Sequence, residues 1–152
     1  MDTFQVKGLA GEALLKGEVS IEGAKNAVLP LMAAALVMDG ETTLTNVPDI
    51  ADVKSMNLLL EDLGAYTSMK EGSLGIRTQD ARGTVLNQDI AKRLRASVLL
   101  IGSVLARSGN VLFPHPGGCV LGSRPIDLFE KGFQKLGCTV KFENDVYTFE
   151  AP

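Results

Sequence analysis

One order of strand-like and helix-like stretches runs through this sequence twice, and that repetition restricts the possible folds more than any other feature. Hydrophobic periodicity in the first half predicts a strand at Gly17–Ile21, an apolar helix ending near Met38, a strand near Thr42–Val47 and an amphipathic helix over Asp52–Leu63. A hairpin follows, Ala65–Lys70 and Leu74–Thr78 across Glu71-Gly72-Ser73, with Gly64 placed to end the preceding helix. The second half predicts a helix through Arg95–Arg107, a strand at Asn110–Phe113, a helix over Ile126–Leu136 ended by Gly137, and a hairpin across Asn144-Asp145. The first half reads as β-α-β-α-β-β, and the second repeats that order from its first helix onward.

The spacing of the two copies is uneven. Ala27 recurs as Ala96 and Gly40 as Gly109, 69 residues on, whereas Leu63-Gly64 recurs as Leu136-Gly137, 73 residues on. Four extra residues thus fall between the middle strand and second helix of the second copy, in the segment carrying Pro116-Gly117-Gly118-Cys119. Loops between regular elements are where binding and catalytic residues concentrate. Stacked units bury their cores against neighbours, and about three or more are usual for stability. The expectation is a further unit outside this sequence, with apolar helix surface left open where it packs.

Charge and composition remove several classes of function. A net charge of −3 and a pI near 5.2 argue against a general nucleic-acid binder, which needs clustered Lys and Arg. The longest apolar stretch, Ala27–Met38, is far short of the roughly 20 residues that span a membrane, and it carries Pro30. The first residues lack the basic and apolar regions of a secretory signal, and Cys119 and Cys138 are too few for a disulfide framework or a zinc site. The reading is a soluble, cytoplasmic protein with free thiols.

The candidate site is the loop Pro116–Leu128, suited to an anionic small molecule. Paired glycines let the backbone turn sharply before Cys119, and no Asp or Glu occurs between Arg107 and Ile126. A thiol becomes reactive when cations or a helix N-terminus lower its pKa, although an ordinary cysteine is a small buried hydrophobe. Arg124-Pro125-Ile126-Asp127-Leu128 opens the next helix: Pro and Asp suit a first turn, while Arg124 can also fork onto a carboxylate or phosphate. Asn26 reads as an N-cap beside the surface cation Lys25, yet it corresponds to Arg95 in the second copy, so each copy places a polar group at the start of its first helix. Helix N-termini facing one centre make an anion site. His115, the single histidine, has no identifiable orienting carboxylate, and Cys138 reads as a small buried residue without chemistry.

Three motifs, Gly23-Ala24-Lys25-Asn26-Ala27, Leu94-Arg95-Ala96-Ser97 and Pro116-Gly117-Gly118-Cys119 with Gly122-Ser123-Arg124-Pro125-Ile126-Asp127-Leu128, resemble those of the UDP-N-acetylglucosamine enolpyruvyl (1-carboxyvinyl) transferases. The related shikimate-pathway transferases lack the cysteine loop. The resemblance implies an inside-out α/β barrel of enolpyruvyl-transferase type, built from β-α-β-α-β-β repeats, with two of the three repeats of the catalytic domain present. It divides the chain into an N-terminal segment, 1–16, that belongs to a second domain, a first repeat, 17–80, and a second repeat, 81–152, with the cysteine loop.

The implied reaction moves the enolpyruvyl group of phosphoenolpyruvate to the 3′-hydroxyl of UDP-N-acetylglucosamine and releases phosphate, the first committed step of peptidoglycan synthesis. No metal or organic cofactor is implied. Cys119 becomes the general acid and the residue alkylated by fosfomycin, Lys25 and Asn26 contact phosphoenolpyruvate, and Arg95 and Arg124 to Leu128 contact the UDP-sugar. The carboxylate that takes the sugar proton lies in the part of the family's chain with no counterpart here. A truncated chain needing a missing C-terminal part for turnover is therefore expected, the alternative being a non-catalytic UDP-sugar-binding remnant or one half of a split enzyme whose partner is a separately encoded C-terminal portion. His115 and Cys138 depart from the family's usual apolar residue and alanine.

Overall fold

The computed structural model describes residues 3–8, 11, 14–115 and 125–152. Helix α1, Lys25–Ala35, is apolar on most sides and buries Val28, Leu29, Met32, Ala33 and Ala35, which places it in the interior. Gly40 (φ 98°) turns the chain into strand β1, Glu41–Leu44. Helix α2, Ala51–Asp62, buries Val53, Met56, Leu59 and Leu60 along one stripe. It ends at Gly64 (φ 94°), where the amides of Gly64 and Ala65 return to the carbonyls of Glu61 and Leu60. Strands β2, Tyr66–Lys70, and β3, Ser73–Arg77, then form a hairpin whose two turn residues, Glu71 and Gly72, both have positive φ, the mirror-image turn that matches strand twist.

In the second half, helix α3, Gln88–Arg93, precedes a 3₁₀ turn, Arg95–Leu99, and helix α4, Leu100–Ser108. Strand β4, Asn110–Pro114, helix α5, Asp127–Lys135, and strands β5, Thr139–Glu143, and β6, Val146–Glu150, complete the order. The turn at Asn144 and Asp145 again has two positive φ values. The three-stranded sheets are both antiparallel and ordered alike, β1-β3-β2 and β4-β6-β5. Between and against them, α1, α2 and α4 share one buried cluster with Leu74, Ile76, Val111, Phe113 and Phe149 from the strands.

Several sequence expectations are corrected. Gly17–Ile21 forms no strand; Leu14, Leu15, Val19 and Ile21 are all more than four-fifths exposed, because the alternation that promises a strand needs an edge to pair with. In the second half an edge is used: Val85 bridges Leu112 in parallel, through Leu86 N–H to Leu112 O at 3.1 Å and Leu112 N–H to Thr84 O at 2.7 Å. Helix α1 stops at Ala35, leaving Val37 and Met38 half exposed. The expected helix Arg95–Arg107 begins as a 3₁₀ turn and is preceded by the unforeseen α3, which the side chain of Asn87 caps by accepting from the amides of Asp89 and Ile90.

Arg107 joins the halves. From the end of α4 its guanidinium donates to the carbonyls of Leu36 (2.7 Å), Ala81 (2.8 Å) and Thr78. A second close approach lies at Gly83, whose amide bonds Leu63 O at 3.0 Å and where a Cβ would come within 2.7 Å of Leu63 Cα. Helix α5 carries an open apolar face, with a hollow of about 320 Å³ lined by Leu128, Phe129, Gly132, Phe133 and Leu136.

Candidate active site

Lys25 is the first residue of α1, and Ala24 takes the N-cap position with no side-chain hydrogen bond. The proposed capping role of Asn26 is therefore corrected: it is the second helical residue and its side chain points to solvent. Gly23 is required just before this helix, since a Cβ there would collide with the carbonyl of Asn46. That contact seats the start of α1 against the end of β1. Lys25 Nζ lies 2.7 Å from the Asp52 carboxylate on the first turn of α2, a pairing that sequence reasoning missed. An acid at a helix start is so favourable for the dipole alone that Asp52 carries no distinguishing signal in the sequence.

Arg95 opens the 3₁₀ turn, and its Nη2 donates to the carbonyl of Pro125 at 3.0 Å. This bond ties together two of the motifs across 30 residues of sequence. Of the motif that opens α5, Ile126 is buried at the N-cap position, Asp127 is the first helical residue and pairs with Lys131 at 3.2 Å, and Leu128 is 77% exposed. The 3₁₀ turn packs on α1, so the elements that bear Lys25 and Arg95 are neighbours. Cys119 and Arg124 lie outside the described residues, as does the loop from 116 to 124.

His115 follows β4 directly, and its amide bonds Asp145 O at 2.8 Å. Its ring stacks on Tyr147 at 5.9 Å and tilts against Phe142 at 5.7 Å, so it belongs to an aromatic cluster. Burial, and then the carboxylates of Glu130 and Asp145, push the Tyr147 hydroxyl above its ordinary pKa. Asp145 also pairs with Lys92 at 3.0 Å. Cys138 is free and packed against the core, but it is half-buried rather than buried as its position after Gly137 suggested. Arg107, which bounds the acid-free stretch containing the loop, directs its donors to three backbone carbonyls. Among the described residues no cluster of three His, Cys, Asp or Glu side chains could hold a metal ion, and no helix is long and apolar enough to cross a membrane.

Residues 9–151 match the family described as EPSP synthase (3-phosphoshikimate 1-carboxyvinyltransferase). The UDP-N-acetylglucosamine 1-carboxyvinyltransferase of Desulforapulum autotrophicum is 42% identical over 144 residues, 95% of this chain and 34% of that protein. Its counterpart in Campylobacter hominis is 41% identical over 145 residues, with the same coverage of 95% and 34%. The chain thus spans about a third of the length of the curated relatives it matches. Among solved structures, the enolpyruvyl transferase NikO from Streptomyces tendae superposes with a TM-score of 0.77 at 18% identity, over 90% of this chain and 30% of that one. EPSP synthase from Acinetobacter baumannii gives 0.65 at 16%, over 89% and 32%. At such identities the likeness concerns the fold, and it agrees with the inside-out α/β arrangement of repeated units.

Proposed function

Because the chain belongs to the EPSP synthase (3-phosphoshikimate 1-carboxyvinyltransferase) family of enolpyruvyl transferases, we propose that it serves the transfer of the enolpyruvyl group from phosphoenolpyruvate to the 3′-hydroxyl of UDP-N-acetylglucosamine. The observation that carries the choice of acceptor is the 42% identity, over 95% of this chain, to a protein named for that sugar nucleotide. The sequence Pro116-Gly117-Gly118-Cys119, which the shikimate-pathway relatives lack, supports the same choice.

In this reading the two substrates meet between the start of α1 and the segment that opens α5. Lys25 and Asn26 hold phosphoenolpyruvate, with Arg124 neutralising its anionic groups. Cys119 gives a proton to the methylene carbon, cationic character develops at the adjacent carbon, and the sugar hydroxyl attacks there while passing its proton to a carboxylate that this chain does not supply; phosphate then leaves as the new methyl group gives up a proton, which restores the carbon–carbon double bond. Arg95 and Pro125 to Leu128 receive the UDP-sugar; the bond from Arg95 to Pro125 holds that segment against the 3₁₀ turn in readiness.

Turnover is proposed to need more chain than is present here, since the relatives are about three times as long. Residues 1–16 are assigned to a second domain, 17–80 and 81–152 to two repeats of the catalytic one. The setting is cytoplasmic peptidoglycan synthesis, and fosfomycin is expected to alkylate Cys119.

The test is phosphate release from phosphoenolpyruvate, assayed on the 152-residue chain alone and after mixing with the remaining C-terminal portion of a relative. Expected are no turnover alone, turnover in the mixture that depends on UDP-N-acetylglucosamine, and its loss with Cys119→Ala. Turnover with shikimate 3-phosphate in place of the UDP-sugar overturns the choice of acceptor. Thiol alkylation supplies an independent arm: Cys119 should react faster than Cys138, and equal rates count against an activated thiolate.

A further inference from the structure

The start of α1 departs from every local preference for beginning a helix. Ala24 offers no capping group, the first turn holds no acid, and Lys25 sets a cation at the positive end of the helix dipole. Such conflicts between local rules and the fold gather at functional sites. The anion that this end lacks comes instead from another helix, as the Asp52 carboxylate 2.7 Å from Lys25 Nζ, with the two side chains 38% and 52% exposed. Neighbouring Asp49 takes no part, being paired with Lys54 at 2.7 Å on the open side of α2.

We propose that Asp52 is a positioning residue that stands in for the anionic ligand of Lys25: it holds the ammonium at the helix end and weakens the hold of a phosphate group there, so that phosphate is released. This rests on the reading of Lys25 as a phosphoenolpyruvate contact. An ammonium has three N–H donors, enough to keep its bond to Asp52 and donate to one ligand oxygen as well. The two effects of Asp52 oppose each other. Fixing the lysine rotamer favours binding, while a carboxylate beside an arriving dianion disfavours it, and repulsion by a double charge is the larger effect in a partly solvated site.

The experiment measures inorganic phosphate and phosphoenolpyruvate binding by calorimetry at low ionic strength, for the chain and for Asp52→Asn, Asp52→Glu and Lys25→Ala. Asp52→Asn is expected to bind both anions roughly threefold to tenfold tighter, with a steeper salt dependence. Asp52→Glu, which keeps the charge, should stay within about twofold of the parent. Equal or weaker binding by Asp52→Asn overturns the proposal, and so does binding too weak to detect in both it and the parent. Undiminished affinity in Lys25→Ala overturns instead the reading of Lys25 as a ligand contact. A second readout needs no affinity: reductive labelling by pyridoxal 5′-phosphate should reach Lys25 several times faster in Asp52→Asn, and an unchanged rate at that residue overturns the pairing.

Discussion

Helices α2 and α5 occupy the same place in the two halves and differ sharply in what covers them. Met56, Leu59, Leu60 and Leu63 are buried to 2% exposure or less, whereas their counterparts 73 residues on are Phe129, 37% exposed, half-buried Phe133, Leu136, 73% exposed, and Gly132. Both helices carry an apolar stripe, and both end at a glycine of nearly equal φ, 94° and 95°. What differs is the neighbour. Helix α2 lies against α1, α3 and the 3₁₀ turn, so the following unit closes its stripe, while α5 packs mainly on β5 and keeps its far side open. An amphipathic pattern states which face can be buried; the next unit along the chain decides whether it is.

Paired substitutions can break this contrast. Leu63→Ala should destabilise the fold by about 3 kcal/mol in denaturant unfolding, the cost of emptying a closed site. Arg107→Leu should cost about 2 kcal/mol, because three carbonyls lose a charged donor at the seam, and Arg107→Lys should recover only part of that. Asn87→Ala, which removes the cap of the helix that covers α2, should cost about 1 kcal/mol by the same measurement. Leu136→Ala, the counterpart of the first change, should stay within about 0.5 kcal/mol. If Leu136→Ala instead matches Leu63→Ala, α5 is covered in solution and the contrast fails.

Much of the fold was legible because its signals are local. Glycines 64 and 137 ended their helices, and Asn144-Asp145 and Glu71-Gly72 made two-residue hairpins through positive φ, as their residue types demand. Helix α3 left only a faint signal, Asn87 followed by an acid in the first turn, because six residues are too few to show a helical period beside the apolar run after Arg95. The unpaired course of Gly17–Ile21 was not legible, since Val19 and Ile21 alternate as in a strand but pair with no edge among the described residues. The site was read through residue types and motifs, and its pairings were hidden. Arg95 reaches Pro125, and Lys25 reaches Asp52, only through the packing of separate helices. The acceptors of Arg107 were equally invisible, because backbone carbonyls carry no sequence signature.

The position of Arg107 bears on how the chain opens and closes. Its three acceptors all precede α3, Leu36 and Thr78 in the first repeat and Ala81 at the boundary, so the guanidinium at the end of α4 is satisfied mainly by groups that the first repeat supplies. Neither half can be released without stranding polar groups of the other. The two copies of one motif are thereby joined into a single cooperative unit, and amide protons in α1 and α4 should exchange with one shared free energy of opening.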